Sequence, residues 1–482
     1  MSRVHGRLAL VAATLMAVAP VVAQAAEPAS DPTVFHRSEA LTLRWHLQAG
    51  INAVAEQNLF WRLADTTAPG SGFDADTEWL EFYAKPGVSG EAMLGGGRTL
   101  YGRLSAVGSY TAGTDAFDRG DTGAATLEEA HLGLRGTTAG GIGYDLAIGP
   151  QELKLGTGML VASGASSGFE RGALKFGPRK AWSRAAVARL SQGGFTGTAF
   201  YLGPNELPSS DGGNRLAGVD LRRDDGEGGH LGATLLRVQR SGSPYVQAAP
   251  GGAGAPTILP GARAGTRTLD LYARTSPSTG LLAGWTLAAE LALQRNGAID
   301  LKAWAGRLQV SRALAGVRWA PTLSYSYQTF SGDDPATAAL ERFDPLYYEG
   351  SPSAWSTGSK SSMAFINSNV QAHALALRVQ PTPRDTLTLR YAHVRANELR
   401  SPIQFGQATR LDTSGSDANL VAGVTRPHLS DDVFLEYSRV VNRHTYLSAG
   451  VAVAMAGAGI RDAAGGRAPD WRGAFVNVVI NH

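Results

Sequence analysis

The chain has 482 residues, no cysteine, 60 glycines and a formal charge of +3. The lack of cysteine excludes disulfides, Cys-ligated zinc, iron–sulfur clusters, a Cys nucleophile and a lipoprotein anchor. A hydrophobic share of 43% against 18% charged residues is too apolar for disorder, and no apolar run has the ~20 residues of a membrane helix. Six of the 44 basic residues are lysine and the rest arginine. Arginine suits bidentate recognition of carboxylate or phosphate, although a GC-rich genome also favours it.

Arg3 and Arg7 precede an apolar stretch over residues 8–22, and Ala23-Gln24-Ala25-Ala26 offers a small-residue cleavage site. This pattern predicts a secretory signal peptide over residues 1–25, then a periplasmic N-terminal segment over 26–39. From residue 40 to 482 the chain alternates apolar and polar residues. Leu41-Thr42-Leu43-Arg44-Trp45-His46-Leu47-Gln48 begins the pattern. It returns at 268–274, 287–294, 323–328, 375–380, 387–391, 435–438 and 447–453. Such alternation predicts strands with one apolar and one polar face.

The connections fall into two classes. Residues 380–385 and 440–444 read as tight turns, while 204–214, 241–266, 331–360 and 398–419 are long and rich in Gly, Pro, Ser and Asp. Alternating short and long connections fit the two rims of an outer-membrane barrel. Strands spread evenly with no domain break, and the small residues on their polar faces suit a wet lumen. The fold class is therefore all-β, a transmembrane antiparallel β-barrel in the bacterial outer membrane. At about 25 residues per strand with its loops, it holds about 18 strands, with 16 the neighbouring even number. The last strand, 471–482, ends in His482 where such barrels usually end in an aromatic residue.

Little points to catalysis. Gly164-Ala165-Ser166-Ser167-Gly168 matches an esterase pattern but lacks the following helix. Asp333, Asp334 and Asp344 are a candidate structural calcium site in an external loop, with a plain solvated loop as the alternative. No cofactor is expected otherwise. The informative residues are charges on polar strand faces: Arg44, Arg103, Glu129, His131, Arg135, Lys154, Asp270, Arg274, Arg378 and Arg390. A charge facing lipid at the midplane costs about 2–4 kcal/mol, so these should point into the lumen, where rings of charge set selectivity. Arg171, Lys175, Arg179, Lys180, Arg184 and Arg189 form the densest basic stretch. Folded inward, it builds a positive constriction; otherwise it is a basic external loop or a turn touching lipid phosphates.

Residues 325–335 (Tyr-Ser-Tyr-Gln-Thr-Phe-Ser-Gly-Asp-Asp-Pro), 343–348 (Phe-Asp-Pro-Leu-Tyr-Tyr) and Asn367-Ser368-Asn369 resemble the later half of alginate-export-type outer-membrane channels. Residues 148–156 are similar to a strand of that family, with Pro150 where arginine is common. The resemblance implies an 18-stranded monomeric barrel with an arginine-lined lumen, which in the type member passes an anionic uronate polysaccharide outward with periplasmic export proteins as partners. The expected function is thus a channel for anionic oligo- or polysaccharide, in contact with outer-membrane lipid and lipopolysaccharide and with no nucleic acid. The alternative is an uptake porin for small organic acids or other nutrients, marked by an external loop such as 331–360 folded into the lumen. An enzymatic and a purely structural barrel are the more distant readings.

Overall fold

The computed structural model describes residues 31–117, 119–350, 355–403 and 423–482. The expected signal peptide and most of the 398–419 loop lie outside them. A short strand, β1 (Val34–Arg37), lies along β2 (Leu41–Gln57). The wall continues through β3 (Thr77–Met93), β4 (Thr99–Thr114), β5 (Gly120–Thr137), β6 (Gly143–Ile148), β7 (Arg184–Gln192), β8 (Phe195–Gly203), β9 (Arg215–Asp224) and β10 (His230–Arg240). A side hairpin, β11 (Tyr245–Gln247) and β12 (Thr257–Leu259), stands apart from it. The wall resumes with β13 (Arg267–Thr275), β14 (Trp285–Asn296), β15 (Leu301–Ala313), β16 (Thr322–Phe330) and β17 (Val370–Thr382). It ends with β18 (Asp385–Ala396), β19 (His428–Asn442), β20 (Thr445–Ala456) and β21 (Trp471–Asn481). Each wall strand pairs antiparallel with the next, and β2 pairs with β21 from Gln48 opposite Asn481 to Gln57 opposite Arg472. The result is a closed 18-strand barrel. Closure satisfies every strand edge, which an open sheet in lipid cannot do.

The alternation sorts side chains between two environments. On β15, Ala303 and Ala305 are fully buried while Trp304 and Leu308 between and beyond them are exposed. Leu132, Ile148 and Leu231 are more than 60% exposed, and Leu104, Leu235, Leu323 and Leu375 are exposed with them. An apolar band of this extent is incompatible with water and defines the lipid face. Tight turns at 193–194, 383–384 and 443–444 lie on one rim, the periplasmic one; 149–183, 204–214, 241–266 and the described parts of 331–369 and 397–427 lie on the other.

One predicted strand is not a strand. β6 stops at Ile148, and Gly149 turns the chain off the wall with φ at +113°. A Cβ there would sit 2.2 Å from the Ala130 carbonyl oxygen. Residues 149–183 instead enter the barrel. A lumen of this width is too large for wall side chains to fill, and loops fill its external half. Residues 58–76 bring Leu59, Phe60 and Trp61; 149–183 bring Met159, Leu160 and Trp182; 331–369 bring Phe343 and Phe365, all buried. Trp61 Nε1 donates to the Ala454 carbonyl at 2.9 Å, and its ring lies 5.7 Å from that of Phe365. Val161 pairs with Tyr347 across two of these loops.

Candidate transport pathway

The two halves of the lumen differ in charge. Arginines occupy inward positions in the periplasmic half of eight strands: Arg44 on β2, Arg103 on β4, Arg135 on β5, Arg189 on β7, Arg222 on β9, Arg274 on β13, Arg378 on β17 and Arg390 on β18. Several are matched by carboxylates. Arg103 Nε lies 3.0 Å from Glu129, Arg135 is 2.7 Å from Glu91, Arg44 is 3.8 Å from Glu91 and Arg189 is 3.7 Å from Asp145. Arg222 pairs with Asp224 two residues on. Arg274 and Arg378 are exposed and make no hydrogen bond or ion pair among the described residues. His131 lies beside Arg103 in register, and Glu129 also approaches Lys85 at 4.0 Å. The belt thus alternates cation and anion, with free guanidinium groups at two points.

In the external half, wall carboxylates hold the inward loops. Glu81 on β3 accepts the backbone N–H groups of Lys175 and Phe176 at 2.8 and 3.0 Å. Glu128 on β5 accepts those of Lys180 and Ala181 at 2.7 and 3.1 Å. Asp432 on β19 accepts those of Lys360 and Ser361 at 2.8 and 3.0 Å. Glu56 at the end of β2 accepts from Lys360 Nζ at 2.6 Å, Lys175 Nζ at 3.1 Å and Trp471 Nε1 at 2.9 Å. On the opposite wall the tip of loop 149–183 presses Gly156 against Asp270, Tyr272 and Glu290, and the Thr157 hydroxyl bonds to Glu290. A buried ion needs such partners, because desolvation otherwise costs several kcal/mol. Burial brings the Lys360 ammonium down to about 8, with Glu56 the main opposing force.

The basic stretch divides along the same line. Arg189 belongs to the belt, and Arg184 begins β7. Arg171, Lys175 and Arg179 lie in the inward loop, but two are enclosed by it. Arg179 is 1% exposed and donates to the Thr126 and Ser109 hydroxyls at 2.7 and 2.8 Å and to the Ala124 carbonyl at 2.9 Å. Arg171 is 6% exposed and donates to Ser166, Asn205 and Glu206. Their forks are occupied by the protein itself. Lys154 sits on the loop, not on a strand, and pairs with Glu349 at 2.8 Å. Asp270 is buried.

Other sequence features are also structural. Ser166 N–H bonds to Asn205 and Ser167 Oγ accepts from the Arg179 N–H, and only a single 3-10 turn, Phe169–Arg171, follows them. Asp333 accepts from the Ala248 and Glu341 N–H groups, and Asp344 from Leu346 N–H and Arg263. Protein donors thus face these carboxylates. The Asn367-Ser368-Asn369 motif roots the inward loop, with Ser368 Oγ donating to the Phe343 carbonyl at 2.7 Å. Among the described residues, the group whose atoms converge as metal ligands would is His393, His428 and Asp431. The clamps Glu56, Glu81, Glu128, Asp432 and Lys360 escaped the sequence reading. The signal of the four carboxylates was an acid at an inward position of an alternating strand, which looks the same whether it faces water or a loop, and Lys360 lies in a loop with no such pattern.

A family model described as alginate export matches residues 105–474. No curated protein matches the sequence. Three solved structures of outer-membrane proteins are similar. In vitro folded OmpT of Vibrio cholerae is 10% identical, with 92% of this chain and 99% of that one covered and a TM-score of 0.39. Its loop L8 deletion mutant gives 10%, 92%, 100% and 0.41. OmpF of Salmonella typhi, in complex with daunomycin, gives 12%, 92%, 98% and 0.42.

Proposed function

The chain belongs to the alginate export family, and from that premise we propose that it is a passive outer-membrane channel for anionic oligo- or polysaccharide of the alginate-like uronate kind. The observation that carries this reading is the belt of inward arginines in the periplasmic half, with Arg274 and Arg378 unpaired. A uronate chain entering from the periplasm meets guanidinium groups spaced around the wall. The neighbouring Glu91, Glu129 and Asp145 weaken each contact, and conduction needs weak sites in series. The protein acts as a monomer, with periplasmic export proteins delivering the chain, and it has no catalytic role.

Planar bilayer recording tests this. The reversal potential in a salt gradient should show anion preference, and oligouronate added on the periplasmic side should block the current. Arg274→Glu with Arg378→Glu should lower the anion-to-cation permeability ratio by about twofold or more. Cation preference in the wild type would overturn the reading.

The inward loops favour a second reading, an uptake porin for small organic acids, because they fill the external half of the lumen. Current that passes freely, is untouched by oligouronate and falls with small carboxylates would select it.

A further inference from the structure

The lipid face carries one feature that the midplane rule for charges does not anticipate. At the external ends of four neighbouring strands, outward basic residues stand directly opposite one another. Arg237 on β10 faces Arg267 on β13, Arg267 faces Arg295 on β14, and Arg295 faces Lys302 on β15. All four are exposed. Their outward direction follows from the burial of the residues between them, such as Thr268, Gln294 and Ala303. Like charges directly opposite in a sheet destabilise it. Within the described residues a single carboxylate meets the row, Asp300 at 2.7 Å from Lys302. Arg237 and Arg267 have no partner there.

Two residues closer to the midplane the same strands form an apolar row. Leu235 faces Leu269, Leu269 faces Leu293, and Leu293 faces Trp304. The two rows are about 7 Å apart along the strands. Cations sit at headgroup level and aliphatic groups at acyl level beneath them. We propose that this patch is a docking site for a phosphorylated acyl glycolipid of the outer leaflet. Its phosphates are held by the forks of Arg237, Arg267 and Arg295 and by Lys302, and its chains lie on the leucine row. Guanidinium forks pair with phosphate bidentately, and the lipid supplies the negative charge that the sheet lacks at this rim. The inference rests on the outer-membrane placement alone and is independent of what the lumen carries.

The test uses the whole chain in phosphatidylcholine nanodiscs doped with bisphosphorylated lipid A, with lipid retained through purification counted by mass spectrometry. Wild type should retain lipid A. The Arg237→Gln, Arg267→Gln, Arg295→Gln, Lys302→Gln variant should retain at least about tenfold less, at about fivefold per neutralised residue. Dephosphorylated lipid A should be retained no better by wild type than by the variant. Equal retention by the two proteins overturns the proposal. So does equal retention of phosphatidylglycerol, or displacement of lipid A by millimolar inorganic phosphate. If the quadruple variant does not fold, Arg267→Gln alone should show the fivefold loss, and its absence is decisive.

Discussion

Glu56 and Lys360 are nearly inaccessible to water and separated by most of the chain, yet they meet at 2.6 Å. Breaking a buried pair leaves an unpaired charge and costs about 3–5 kcal/mol. Lys360→Met should therefore release the 331–369 loop, seen as faster protease cleavage there and a larger single-channel conductance. Glu56→Leu combined with Lys360→Met should be less destabilising than Glu56→Leu alone, because the buried Lys360 ammonium is no longer stranded and only the less buried Lys175 loses its partner. Asp115 makes a second residue-level case. Its Oδ1 accepts from the Phe117 and Arg119 N–H groups at 2.9 and 3.2 Å, while Oδ2 is buried without a partner. Burial pushes its carboxyl up to about 6. Between the ordinary carboxyl value and about 6 the folded loop therefore binds more protons than the open one, so loop stability falls as pH rises through that window, on the order of 2 kcal/mol. Protection factors against amide exchange at Phe117 and Arg119, corrected for the intrinsic pH dependence, should fall from pH 4 to 6, and Asp115→Asn should flatten that dependence. Neither clamp was legible from sequence. Asp115 follows a strand like any loop acid, and nothing local shows that Glu56 will meet a lysine from a distant loop.

The strands were legible because one face meets lipid and the other does not. The expected runs at 41–48, 268–274 and 447–453 lie inside β2, β13 and β20, and the turn at 380–385 and the loop at 204–214 fall where the wall reverses. The error came at 148–156, where Leu153, Lys154 and Leu155 alternate as a strand would. Leu153 is buried among loop side chains, so three residues of alternation carried no information about which surface lay opposite. The inward loops and the arginine belt are separate elements, and that separation is testable. Deleting part of 154–180 should raise conductance while leaving anion preference intact, because the belt sits on strands. Loss of preference on deletion would transfer the selectivity to the loop.

For the molecule as a whole, the selectivity assigned to the belt is an electrostatic property of a wet lumen. Screening shortens to about 3 Å at 1 M salt, so the anion-to-cation ratio should fall steadily from 0.1 M to 1 M in the same bilayer experiment. A ratio independent of salt would point to steric selection by the loops. The barrel, its location and its approximate strand number could be read from the sequence, since they follow from the lipid boundary. How full the lumen is could not, because a wide ring of strands is compatible with an empty or an occupied interior.

The joint between the first and last wall strands has a consequence for biogenesis. Glu56 on β2 receives both Lys360 and Trp471, the opening residue of β21, and β2 and β21 are the pair that seals the cylinder. A chain that adds strands in the order of synthesis has no Trp471 beside Glu56 until its final strand arrives. The latch on the external mouth is completed by the same hydrogen bonds that end assembly. A half-built cylinder of this protein therefore lacks part of the anchor of its 331–369 loop, and a finished one has that anchor complete from the start.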